Sequence, residues 1–146
     1  MSDAGRPLDD RLGPLLGRAH LAHRAVTERA LADLGLGPRE FGALSLLVQH
    51  GPQSQQRLGE RQGIDRTTMV AIVDALERKG LVERRRDPRD RRAYSLEATD
   101  EGRRVLPLAS AAADRAEDEV LAGVTPADRR RLKDLLRRIA EPGPGA

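Results

Sequence analysis

Residues 64 to 102 read IDRTTMVAIVDALERKGLVERRRDPRDRRAYSLEATDEG (Ile64–Gly102), and the alternation of apolar and charged residues in this stretch decides the fold. Asp65 is suited to cap a helix from Arg66 to Lys79, in which Met69, Ile72, Val73 and Leu76 fall at i, i+3, i+4 and i+7 and so share one buried face. Gly80 closes that helix. Leu81 to Arg85 and Ala93 to Ala98 then read as two strands, with Tyr94, Leu96 and Ala98 on one face. They are joined by a charged turn around Asp87-Pro88-Arg89-Asp90, where Pro88 suits the second position of a type I turn. Thr99 caps the next helix, with Asp100 and Glu101 in its first turn, where negative charge favours the helix dipole.

Toward the N-terminus, Ser54 can cap a short helix from Gln55 to Gln62 whose Leu58 faces inward, and Gly63 supplies the left-handed residue of a tight turn. Two short helices joined by a glycine turn, followed at once by a β-ribbon, form a helix-turn-helix with a wing. Before it, Pro38 opens a helix through Phe41, Leu44, Leu47 and Val48 that ends at His50-Gly51-Pro52. Leu12, Leu15, Leu16, Ala19, Ala22, Val26, Ala30 and Leu34 mark an amphipathic helix over 8–34, with Pro14 loosening its start.

Toward the C-terminus, Pro107 is expected to interrupt and kink the helix that Thr99 begins. Thr125 and Pro126 open a last helix with the stripe Leu132, Leu135, Leu136 and Ile139. The Pro/Gly-rich ends, 1–7 and 141–146, should fray. The expected fold is thus mainly α with a small β wing: one domain over 1–146, six helices and a two-stranded ribbon. Its winged helix-turn-helix spans 38–99, flanked by helices over 8–34 and 100–140.

Hydrophobic residues make up 38% of the 146 and aromatics only 1%, Phe41 and Tyr94 being the two rings, so the core rests on aliphatic side chains. Such a core is thin for a domain that stands alone, and sharing it between two protomers relieves the shortage. The net charge is +3, yet Arg78 to Arg92 alone carries +5 and the remainder −2. A local basic block on a near-neutral body fits a polyanionic partner. Its bland counterpart is a solvated charged loop.

The chain has no cysteine, which excludes a disulfide scaffold, a thiolate nucleophile and a thiol-oxidation switch. With no long apolar run and no apolar signal segment, the expectation is a cytoplasmic protein without a membrane partner. Common phosphate-loop, nucleophile-elbow and zinc-protease motifs are missing, so no enzyme and no cofactor is expected. His20 and His23 lie three apart on one helix, but two imidazoles without a matched third ligand make a weak metal site, and no metal is expected.

The segment Ile64–Gly102 resembles the MarR family of transcriptional regulators, closely over this central third and by helix order alone in the flanks. The resemblance implies a homodimer whose N- and C-terminal helices interlock, leaving two winged domains to grip one inverted-repeat duplex. The start of the second helix of the hairpin would enter the major groove with Arg66, Thr67 and Thr68, since Arg reads guanine and Thr reads bases, phosphate or the thymine methyl. Val70, Ala71 and Asp74 on its outer side are less polar than in relatives, which shifts sequence preference toward methyl contacts and DNA shape.

Asp90-Arg91-Arg92 matches the family's Asp-x-Arg wing motif, which assigns Arg92 to the minor groove and Asp90 to orienting it. Arg84, Arg85, Arg86, Arg89 and Arg91 would meet phosphates, as would Gln53, Ser54 and Gln55 at the start of the third helix. The resemblance further implies repression by occupancy, released by a small phenolic or other aromatic acid, with His20, His23, Phe41 and His50 as pocket residues by analogy of position. Core or interface packing is the plain alternative for those four. Two other classes stay open: a helical adaptor whose basic ribbon binds an acidic protein, and a small histidine-dependent hydrolase.

Overall fold

A computed structural model describes residues 5–141, except the side chains of Arg91 and Arg92; the outermost termini expected to fray fall outside this range. A single 3-10 turn, Leu8–Asp10, precedes α1 (Leu12–Ala32), and then follow α2 (Pro38–His50), α3 (Gln55–Gln62) and α4 (Arg66–Arg78). The ribbon is β1 (Val82–Asp87) and β2 (Asp90–Ala98), after which α5 (Asp100–Val120) and α6 (Pro126–Ala140) complete the chain. Six helices and an antiparallel two-stranded sheet thus match the expected architecture.

Four of the helices start at a local cap. The side chains of Ser54, Asp65, Thr99 and Thr125 accept hydrogen bonds from the amides of Arg57, Thr68, Gly102 and Asp128, each three residues on. Gly63 ends α3 in the left-handed region at φ 64°, where a side chain would be strained, and so turns the chain into α4.

The core sits where α2, α3, α4, α5 and the root of the ribbon converge. Leu44, Leu58, Met69, Leu76, Leu96 and Ala109 are each at most 1% exposed, and Ile72, Val73, Val82, Ala98 and Val105 surround them. α5 passes so close to the start of the ribbon that a Cβ on Gly102 would lie 2.3 Å from the carbonyl oxygen of Leu81. α1 packs along α5, burying Thr27 and Leu31 near its C-terminal end, while Leu12, Leu15 and Leu16 stay exposed. α6 buries no residue of its own, and its stripe of Leu132, Leu135, Leu136 and Ile139 is 38–55% exposed.

Several expectations are corrected. The first helix is not continuous from residue 8, because Pro7 and Pro14 leave a separate 3-10 turn before α1. α5 runs through Pro107 without ending, held by the buried Val105 and Ala109 on either side. The ribbon is longer than its apolar pattern suggested: strands reach Asp87 and start again at Asp90, leaving only Pro88 and Arg89 in the turn. The Arg89 amide donates to Asp87 Oδ1 at 2.8 Å, which closes that turn.

Tyr94 lies on the same side of β2 as Leu96 and Ala98 but is 54% exposed, because the ribbon extends past the edge of the body. One pairing was not foreseen. Gln53 and Leu96 exchange both backbone hydrogen bonds, at 3.1 and 2.8 Å, and add a one-residue third strand at the root of the wing.

Candidate nucleic-acid interface

α4 presents its first turn outward because Asp65 caps it and Met69, Ile72, Val73 and Leu76 pin the opposite face in the core. Arg66 and Thr67 are exposed there. Thr68 is half-buried; its amide donates to Asp65 Oδ1 at 2.9 Å and its hydroxyl to Asp65 Oδ2 at 2.7 Å. These bonds, the amide's first, hold the Asp65 carboxyl below the ordinary carboxylate range. Farther along, Val70 and Ala71 are exposed, so the middle of the outward face is apolar.

The wing stands beside this face. Along β1, the alternate residues Val82, Arg84 and Arg86 occupy one side: Val82 is buried, Arg84 is tied to α4, and Arg86 is exposed. Arg84 donates from one guanidinium nitrogen to Glu77 at 2.6 Å and from the other to Asp74 at 3.0 Å. On the other side Arg85 pairs with Glu83 at 2.6 Å and with Glu97 at 3.3 Å.

Lys79 pairs with Glu40, so much of the basic block is neutralised within the fold. Among the described residues of α4 and the wing, Arg66, Arg78, Arg86 and Arg89 have no acidic partner. The pairing register is irregular between Arg86 and Asp87, which puts Arg91, Arg92 and Ala93 in a bulge of β2. Bulges of this kind re-aim side chains at the rim of a sheet. The side chains of Arg91 and Arg92 themselves lie outside the described residues.

Ser54, Gln55, Arg66 and Arg84 come together around one cleft of about 1020 Å³ between α3, the start of α4 and the wing, and Tyr94 also lines it. Gln53 turns inward instead, its Nε2 donating to the Leu46 carbonyl at 3.1 Å. Sequence reasoning missed Tyr94 in this cleft and missed Asp74 and Glu77 as partners of Arg84. The three-residue spacing of those acids on one helix was the available signal.

A second cleft, about 880 Å³, lies between α1, the start of α2, the α3–α4 turn and α4. His20 and His23 line it, with Arg24, Arg39, Glu40 and Thr68. Phe41 and His50 do not: Phe41 packs against the core and His50 is exposed at the end of α2. Among the described residues no cluster of three metal-ligating side chains occurs, and no helix is long and apolar enough to cross a membrane.

A helical body carrying a helix-turn-helix and a β wing defines the winged helix-turn-helix class. Residues 36–94 match the model of the MarR family. The putative regulatory protein for the hcr operon of Thauera aromatica is 33% identical over 129 residues, covering 88% of this chain and 78% of the relative. A MarR-family transcriptional regulator from Rhodococcus sp. RHA1 superposes with a TM-score of 0.88 at 32% identity, over 95% of this chain and 99% of that one. The transcriptional repressor CouR, solved bound to a 23-mer DNA duplex, gives a TM-score of 0.85 at 36% identity over 92% and 95% of the two chains. A CouR from Rhodococcus jostii RHA1, 33% identical with a TM-score of 0.83, is solved bound to p-coumaroyl-CoA. The chain belongs to the MarR family, a family of transcriptional regulators.

Proposed function

We propose that this protein is a sequence-specific DNA-binding repressor that acts as a homodimer in the cytoplasm and is released from its operator by a small aromatic or phenolic acid. The observation that carries this reading is the convergence of the exposed first turn of α4 and a wing bearing unpaired cations on one side of the molecule. That side can engage a major groove and the neighbouring minor groove of one duplex. The DNA complex of CouR supports it.

Arg66 and Thr67 read bases, while Ser54, Gln55, Arg86, Arg89 and Arg91 meet phosphates. Arg92 enters the minor groove and Asp90 orients it, in line with the Asp-x-Arg motif. Thr68 supports this surface through its cap at Asp65. The exposed stripes of α1 and α6 supply the apolar area for a second copy of the chain.

The second cleft receives the ligand. It touches one flank of α4 through Thr68, Ala71, Ile72 and Ala75, so a molecule wedged there shifts the reading helix relative to α1. His20, His23 and Arg39 offer donors to a carboxylate or phenol. No observation favours the adaptor reading over this one.

Selection of bound duplexes from a random DNA pool tests the proposal, because it requires no operator sequence to begin. The expected result is an inverted repeat with half-sites about one helical turn apart. A pool that stays random overturns it.

A further inference from the structure

Resting on the DNA-binding reading above, we infer that Arg84 is a positioning residue that fixes the wing to the reading helix, and that it makes no contact with phosphate itself. Its guanidinium is already divided between two carboxylates of α4, Glu77 at 2.6 Å and Asp74 at 3.0 Å. Its side chain is 34% exposed, so the pairs are half-shielded from water. A planar fork that satisfies two acceptors on successive turns of a helix fixes direction as well as distance, which a lysine ammonium cannot do.

The position of Arg84 along the ribbon gives the pairing its consequence. It stands opposite Leu96, the residue that Gln53 bridges, so it sits where the ribbon leaves the body. Before it on the same side, Val82 is anchored in the core; beyond it, Arg86 is exposed and Tyr94 is 54% exposed. Among the described side chains the fork is therefore the outermost ion-paired tie between wing and body on that side. Without it the ribbon pivots about Val82 and Leu96, and Arg86 and the turn lose their fixed offset from Arg66.

Asp74 lies eight residues after Arg66 and four after Val70, on the outward side of α4. Arg84 occupies that carboxylate while holding the ribbon, so the surface offered to DNA is set before DNA arrives. Exposed ion pairs contribute little to global stability, so the effect falls on the geometry of binding more than on folding.

The test compares wild type, Arg84→Gln, Asp74→Asn/Glu77→Gln and the triple variant on a duplex enriched from the random pool and on a random-sequence duplex, across about 50 to 200 mM salt. Arg84→Gln is expected to weaken the enriched duplex about three- to tenfold, with little change on random duplex and an unchanged salt slope. In the background lacking both acids the same substitution should cost nothing further. A salt slope reduced by about one, with the loss persisting in that background, identifies a phosphate contact and overturns the inference.

Amide hydrogen exchange read without DNA provides the second measurement. Exchange over Val82–Ala98 is expected to quicken in Arg84→Gln while α5 is unaffected; unchanged exchange in the ribbon removes the strut alone. A wild type that binds no duplex removes the DNA reading, and the purpose assigned to the strut with it.

Discussion

Thr68 closes a two-bond ring on Asp65, its amide donating to one carboxylate oxygen at 2.9 Å and its hydroxyl to the other at 2.7 Å. Both bonds favour the ionised carboxylate, so the folded pKa of Asp65 lies below its unfolded value. A group shifted in this direction contributes stability that is present above the unfolded value, about 3.8, and is lost as the pH falls through the folded one. Wild type should therefore melt above Asp65→Asn at pH 6, since Asn keeps a cap without the charge. The gap should close as the pH drops below about 4. Melting curves of the two proteins that stay parallel down to pH 3 would remove the carboxylate from this account.

Gly102 predicts a steric outcome. A Cβ at this position meets the Leu81 carbonyl oxygen at 2.3 Å and Leu44 Cδ1 at 3.1 Å, and the first of these is backbone that cannot swing aside. Gly102→Ala should destabilise the protein by roughly 1–3 kcal/mol through overpacking, despite alanine's higher helix propensity. A urea midpoint equal to or above that of wild type would show that α5 can move off the ribbon.

The parts of this fold legible in the sequence are those whose causes lie within a turn or two of chain. Ser54, Asp65, Thr99 and Thr125 cap as read, because a cap joins residues three apart, and the stripe of α4 is buried as its spacing required. What was not legible depends on where distant surfaces end. Alternation puts Tyr94 on the side of Leu96 but cannot say that the body stops short of it. The pairing of Arg84 was not legible because its partners sit ten and seven residues away, across a helix-to-strand turn. His20 and His23 share a cleft while Phe41 and His50 do not, since facing directions on two different helices decide it.

The unpaired cations of the wing carry a prediction that separates two kinds of contact. Arg86 and Arg89 are exposed without an acidic partner among the described residues, so each can displace counterions from a phosphate. Arg86→Ala and Arg89→Ala should each lower the salt slope of binding by about one and weaken all duplexes alike. Arg92→Ala should instead weaken binding chiefly where the flanking minor groove is rich in A·T. Equal binding by wild type and Arg92→Ala on the enriched duplex removes the minor-groove assignment.

The exposed stripe of α6 bears on the assembly. Leu132, Leu135, Leu136 and Ile139 are 38–55% exposed on a helix that buries nothing of its own, and Leu12, Leu15 and Leu16 of α1 are exposed at the other end of the chain. Exposed apolar stripes of this kind mark an interface, and a chain with only one Phe and one Tyr gains core volume from a partner. The protein should sediment at twice its 16.0 kDa chain mass. Leu136→Glu should shift it toward the monomer, because burying an unpaired carboxylate at the seam costs more than the lost leucine contributed. Since two reading helices on one inverted repeat require two chains, the same variant should bind the full repeat no more tightly than a single half-site. A monomeric wild type that nonetheless favours the full repeat would place the partner contact on the DNA rather than on α1 and α6.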